Sequence, residues 1–277
     1  MKIFLLGDSF TDNLFKTKYE LINRAKTDTK LNYWIERNEI AKYLVGLQSV
    51  GVEKAFWFED WLREWGYEVY NFGRGSCSIE DIIYQFANLK NYEFEDGDRI
   101  ILNWTHPSRF NWINEDGSVH YIHTHAGQIA NEELKMEFQY QTVYRESSFN
   151  DGYLNLNLLP FMEYIIKIHK NYKPIVWTPF ADVSELLCNM DWHFTFQNQN
   201  AFNEFLSKLP SNWTMIHETD GIIDDGHYGR YGNYYLATLF DVIIKSGLDS
   251  NYNQNNYVFK QTLDRINSEK MEFVTKF

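Results

Sequence analysis

The sequence predicts an α/β fold: a three-layer sandwich around a central, mainly parallel sheet of five strands, with loop insertions. Three observations predict it. Short apolar runs that read as strands alternate with segments of helical periodicity, the order that builds a parallel sheet covered by helices. The first run, residues 2–6, opens the chain and stops abruptly at Gly7-Asp8-Ser9, residue types that suit the loop at the C-terminal tip of a strand, where open α/β sheets hold their ligand crevices. The clearest buried strand, Arg99 to Trp104, follows further along the same alternation.

Taken in order, Lys2 to Leu6 form the first strand, and residues 13–52 read as a polar, irregular insertion near the mouth of a site. Residues 53–65 carry Ala55, Phe56, Phe58, Trp61, Leu62 and Trp65 on one helical face, ending before Gly66. Tyr67 to Phe72 is the second strand, and Gly73-Arg74-Gly75-Ser76 its exit. A helix follows over about residues 78–89, with Ser78 as its cap and Asp81 three residues on as the acidic partner. Glu95 to Asp98 is a turn into the third strand. Residues 105–150 form a second, His-rich insertion in which Asp116-Gly117 marks a hairpin. Helical periodicity returns over 154–172, strands over 174–178 and 213–217, and helices over 197–208 and 234–245. The domain spans residues 1–250, and 251–277 form a C-terminal tail or docking helix suited to the domain itself, a second copy or a larger assembly.

Ser9 is the nucleophile candidate, although Gly7-Asp8-Ser9 alone also reads as a turn followed by a helix cap. Far downstream, Asp224-Asp225-Gly226-His227 precedes a strongly periodic helix. An Asp three residues before a His, in a loop, folds back to accept from imidazole Nδ1 and leaves Nε2 free to take a hydroxyl proton. A serine needs that base, because its hydroxyl is a weak nucleophile near neutral pH.

The pairing of a GDS turn after the first strand with Asp-x-x-His before the last helix resembles the GDSL/SGNH hydrolase family. That resemblance implies a flavodoxin-like sheet and a triad of Ser9, His227 and Asp224, with Asp225 the other orienter in reach. It also implies oxyanion donors at three places. One is the backbone of Ser9. A second belongs to the loop Asn71-Phe72-Gly73-Arg74-Gly75-Ser76, where the family writes Asn-x-Gly-x-x-Gly; the donor is the backbone N–H of Ser76, which stands at the second Gly, or that of Gly75 after a one-residue shift. The third is the Asn of Gly-x-Asn-Asp, replaced here by Asn103-Trp104-Thr105-His106, which leaves Thr105 or Asn103 in that role. Asp8, Arg109, Trp104 and Tyr228 are the substrate-binding candidates, with Trp34 and Trp112 further candidates for sugar stacking and ordinary packing the competing assignment.

Other patterns carry less. Gly73-x-Gly75 follows a strand like a dinucleotide loop, but Ser78 stands where that fingerprint needs Gly. His120-x-x-His123-x-His125 has ligand-type residues without the Cys or carboxylate companions of a tight metal site. No cofactor and no metal is expected.

Composition narrows the function classes. A net charge of −12 disfavours nucleic acid and anionic membrane as partners. No signal peptide is visible, no apolar run reaches the ~18 residues of a membrane span, and two cysteines are too few for a disulfide framework. A soluble protein, cytoplasmic or virion-associated, is expected. Aromatic residues are 18% of the chain, which suits an aromatic-lined surface. The expectation is a serine esterase removing a small acyl group, acetyl first, from a carbohydrate. The competing class is a weak or inactive SGNH scaffold serving as a glycan-binding or structural protein, such as a phage tail-associated one.

Overall fold

The computed structural model of the chain describes residues 1–75, 77–105, 110–113, 119–122, 174–177, 227–247 and 255–269. It is an α/β protein with a mainly parallel four-stranded sheet. The chain forms two compact units, Met1–Asp12 with Tyr70–His193 and Asn13–Val69 with Phe194–Phe277.

In the first unit, β1 (Lys2–Leu6) and β3 (Arg99–Asn103) pair in parallel with Leu5 opposite Ile101, and β6 (Ile175–Trp177) pairs in parallel on the far side of β3. With β2 (Glu68–Asn71) at the other edge, the strand order is β2-β1-β3-β6. The chain therefore leaves β1 toward one edge and returns beyond β1 to β3. That reversal between β1 and β3 is the switch point at which open sheets form a crevice.

Alternation along the strands sends Phe4, Leu6, Ile100, Leu102, Trp104 and Val176 into one cluster with Ile82 and Leu89. Ile82 lies on α5 (Ile79–Asn88), whose start is tied by the expected capping box: Ser78 N–H donates to Asp81 Oδ2 at 2.9 Å, and Asp81 N–H to Ser78 Oγ at 3.3 Å. Aromatic rings close the cluster, with Phe4 4.4 Å from Phe94 and stacked 5.2 Å from Tyr70 between ring centroids. Ile3, Leu5, Ile101, Ile175 and Trp177 alternate to the opposite face and are equally buried, as parallel strands covered on both sides are. The Glu95–Asp98 turn is fastened to the start of β1 by Lys2 N–H donating to Asp98 Oδ1 at 2.7 Å. β4 (Phe110–Ile113) and β5 (Val119–Ile122) pair antiparallel with Ile113 opposite Val119, and Asp116-Gly117, the turn expected between them, lies outside the described residues.

The second unit corrects one expectation. Residues 13–52 are helical, not irregular: α1 (Leu14–Ala25), a 3-10 turn (Thr29–Leu31), α2 (Asn32–Glu36) and α3 (Glu39–Ser49). Side-chain caps start them, with Asn13 accepting from Lys16 N–H and Asn38 from Ala41 N–H at 3.1 and 3.0 Å. Ile40, Leu44 and Leu47, at the i, i+4, i+7 spacing of a helix, supply the buried stripe of α3 together with Ala41 and Tyr43. The helix expected over 53–65 is shorter, α4 (Phe58–Glu64), because Asp60 accepts from Trp57 N–H at 3.0 Å and sets the start there.

The last periodic segment is α6 (Arg230–Ser246), one turn longer at its N-terminus than expected and closed by Gly247 in the left-handed region at φ 64°. Phe58 and Trp61 of α4 meet its Phe240 and Tyr234 edge-on at 5.6 and 4.9 Å. The C-terminal segment forms α7 (Asn255–Ser268), which packs on α6 and buries Val258, Thr262 and Ile266. Among the described residues no helix is long and apolar enough to cross a membrane. The segments expected as helices over 154–172 and 197–208 and as a strand over 213–217 lie outside the described residues.

Candidate active site

β1 ends in a backbone conformation that only glycine adopts readily. Gly7 has φ 150°, and a Cβ there would sit 2.6 Å from Asn103 Cβ and also run into Thr11 Oγ1. Beyond it the chain makes a single helical turn. Asp8 C=O accepts from Thr11 N–H at 3.0 Å and Asp12 N–H at 2.9 Å, and Asp8 Oδ1 accepts from Phe10 N–H at 3.0 Å. Asp8 is thus the N-cap and Ser9 the first helical residue, whose N–H has no partner within the turn by construction. Neither the N–H nor the hydroxyl of Ser9 makes a hydrogen bond among the described residues, and the residue is 8% exposed.

The Asp8 carboxylate fastens this turn to β3. Asn103 Nδ2 donates to Oδ1 and Thr105 Oγ1 to Oδ2, each at 2.6 Å, and all three residues are fully buried. Bonds this short to a carboxylate belong to the charge-assisted class. Asp8, expected to bind substrate, holds the turn that carries Ser9 onto the neighbouring strand.

The exit loop of β2 is fastened to the same turn. Asn71 Nδ2 donates to Thr11 C=O at 2.8 Å, Gly73 N–H to Asn71 Oδ1 at 2.8 Å, Arg74 N–H to Gly7 C=O at 3.1 Å, and Gly75 N–H to Asp12 Oδ2 at 2.9 Å. Gly73 must be glycine, since a Cβ would lie 2.7 Å from Asp12 N.

These bonds alter the expected oxyanion set. The Gly75 amide is engaged by Asp12, the Thr105 hydroxyl by Asp8, and Asn103 uses one of its two amide hydrogens on Asp8. In all three the acceptor is one of two carboxylates at the turn. Ser9 N–H makes no hydrogen bond among the described residues, Asn103 keeps its second amide hydrogen, and Ser76 lies outside the described residues.

Gln85 is the residue that sequence reasoning missed. Its side-chain amide reaches from α5 to Gly7, where Oε1 accepts from Gly7 N–H at 2.8 Å and Nε2 donates to Gly7 C=O at 3.0 Å. Nε2 also donates to Cys77 Sγ at 3.3 Å. Burial above all, with the Asp81 and Asp8 carboxylates adding to it, pushes the Cys77 thiol up to about 12, so the sulfur beside the turn stays protonated and is no rival nucleophile. The signal for Gln85 was present: it is the polar member of an inward stripe with Ile82 and Leu89.

His227 and Tyr228 precede Gly229, the N-cap of α6. His227 is half-buried. Tyr228 is 8% exposed, and burial pushes its hydroxyl well above the ordinary tyrosine value. Trp104 is 1% exposed and part of the sheet's core cluster. Both side chains are packed, the competing assignment for these rings. Trp34, by contrast, is 60% exposed and meets Tyr33 edge-on at 5.5 Å, with Arg37 4.1 Å from the Tyr33 ring centre.

Asp224, Asp225, Arg109, His123 and His125 lie outside the described residues. Among the described residues no three His, Cys, Asp or Glu side chains are grouped as metal ligands. The second unit holds an open cleft of about 760 Å³, lined by Lys16, Tyr19, Glu20, Lys54, Asp60 and Arg63 among others, with no nucleophile–base pair in its wall. Compared with protein-family models, curated proteins and solved structures, the chain finds no match.

Proposed function

We propose that this protein is a serine esterase of the SGNH type, removing a small acyl group, acetyl first, from a carbohydrate ester. One observation carries the proposal: Ser9 lies in a hydrogen-bonded turn at the β1/β3 switch point, and among the described residues neither its N–H nor its hydroxyl makes a hydrogen bond, while the Thr105 hydroxyl and the Gly75 amide are engaged by carboxylates. A nucleophile and an oxyanion donor on one residue are what acyl transfer asks of such a turn.

In this mechanism Ser9 Oγ attacks the ester carbonyl as His227 accepts its proton, with Asp224 orienting the imidazole. The negative charge on the former carbonyl oxygen meets Ser9 N–H. Collapse expels the alcohol, which takes the proton back from His227, and water activated by the same base then hydrolyses the acyl-enzyme. The family pattern adds a fifth strand at residues 213–217 and helices on both faces of the sheet.

A second reading has its own observation. With Thr105 and Gly75 engaged by carboxylates, the oxyanion site is thin, and one missing donor typically costs ~10²–10³ in rate. That favours a slow enzyme or a glycan-binding scaffold.

Hydrolysis of p-nitrophenyl acetate against longer acyl esters, by wild type and Ser9→Ala, separates the two. The esterase requires activity with acetate preferred, its loss in Ser9→Ala, and fluorophosphonate labelling of Ser9. Equal, slow rates with no labelling leave the scaffold.

A further inference from the structure

We propose that Gln85 is a positioning residue for the nucleophile turn: a side-chain amide that holds the Gly7 peptide so that Ser9 N–H and Oγ keep their relative placement. This rests on the assignment of Ser9 as nucleophile.

Both polar groups of Gly7 are bound by one side chain, N–H to Gln85 Oε1 at 2.8 Å and C=O by Nε2 at 3.0 Å. Gln85 thereby holds the peptide just past β1, where Arg74 N–H also donates to Gly7 C=O at 3.1 Å. The Gly7 peptide sets which end of the amide is which, since its N–H needs an acceptor and its C=O a donor; Nε2 then also lies 3.3 Å from Cys77 Sγ. Packing alone does not explain a glutamine here. Its neighbours in the stripe, Ile82 and Leu89, are apolar, and a buried amide is tolerated only where its hydrogen bonds are made. Those bonds all converge on the segment from β1 to Cys77, and two of the three on a single peptide.

The location gives the clamp its consequence. Gly7 holds φ 150°, a conformation open to glycine, whose wide backbone freedom leaves the peptide's orientation to the hydrogen bonds it makes. Three anchors hold the turn: β3 holds the Asp8 side chain through Asn103 and Thr105, the β2 exit loop holds Gly7 C=O through Arg74 N–H, and α5 holds both polar groups of Gly7 through Gln85. The last of these fixes the rotation of the backbone that aims Ser9 N–H. Releasing it leaves the nucleophile in place and lets the oxyanion donor swing, so catalysis suffers while ground-state binding does not.

The test compares wild type with Gln85→Met, which fills the space and makes neither bond, and Gln85→Glu, which keeps an acceptor for Gly7 N–H and loses the donor to Gly7 C=O. Steady-state hydrolysis of p-nitrophenyl acetate and fluorophosphonate labelling are measured on protein whose near-ultraviolet circular dichroism matches wild type. The expected result is a fall in kcat of ~10–100-fold in Q85M with KM within ~3-fold, and a smaller fall in Q85E. Folded Q85M turning over at the wild-type rate overturns the proposal. If Q85M does not fold, Q85E decides: an unchanged kcat overturns the clamp, a reduced kcat at constant KM supports it. Wild type that neither turns over nor labels removes the Ser9 assignment and this proposal with it, whereas labelled wild type with unaffected variants removes Gln85 alone.

Discussion

Asp8 shows how a single carboxylate organises this site. It is fully buried, and its two oxygens accept from Phe10 N–H, Asn103 Nδ2 and Thr105 Oγ1. The latter two donors come from positions 95 and 97 residues away. Asp8→Asn preserves the shape but points an NH₂ group at residues that are themselves donors, and it removes the charge that shortens these bonds. Hydrogen bonds to charged groups contribute about 1.5–3 kcal/mol each, and some are retained by the remaining carbonyl. A loss of about 2–4 kcal/mol is therefore expected, read as a lower urea midpoint at unchanged slope. A stability equal to wild type would show that the turn is held without the carboxylate.

At the scale of elements, the C-terminal helix is attached by charge as much as by apolar contact. Asp241 on α6 is fully buried and takes Arg265 of α7, Lys245 of its own helix and the Tyr67 hydroxyl. Arg265 continues to Glu269 at 2.7 Å, and Glu269 accepts from the Tyr234 hydroxyl at 2.9 Å. Removing one member of a buried pair leaves the other uncompensated. Asp241→Ala is expected to cost about 3 kcal/mol, the lower end of that range because Arg265 is 19% exposed and keeps Glu269. The loss should fall on the docking of α7, so proteolysis is expected to cut near residues 248–254 first and to leave a fragment that still reacts at Ser9. Uniform loss of the whole chain would show instead that α7 is integral to the unit.

For the molecule as a whole, buried acids that titrate at high pH give a signed prediction. Burial pushes the Cys77 thiol from 9.0 to about 12. Burial likewise raises the hydroxyls of Tyr19, Tyr67, Tyr228 and Tyr234 above the ordinary tyrosine value of 10.0. In each case the folded state holds its proton more tightly than the unfolded chain. Their stabilisation is complete below pH 9, the lowest unfolded value, and is lost as pH rises through the folded values. Stability is therefore expected to fall steadily above about pH 9, and these tyrosines to ionise together with unfolding when absorbance near 295 nm is followed against circular dichroism. Complete tyrosine ionisation at pH 10 with the fold intact would contradict their burial.

Much of the scaffold is written locally. The strand at residues 2–6 followed by Gly7-Asp8-Ser9 and the Ser78–Asp81 capping box each depend on neighbours within a few residues, so periodicity and turn chemistry reveal them. Those same signals were weak across residues 13–52, where short apolar stripes are diluted by polar residues and the helices are set by Asn caps and packing. The sequence thus determined the α/β class, the placement of Ser9 at a strand tip and the helix that follows His227. Only the tertiary structure decided which donors the turn keeps. Thr105, Asn103 and Gly75 carry the right groups for an oxyanion, yet long-range pairing gives them to Asp8 and Asp12. Gln85 reads as one polar residue in an apolar stripe until the fold brings it to Gly7, 78 positions away. Hydrogen bonds across such separations follow from the packing of strands and helices, which no local pattern encodes.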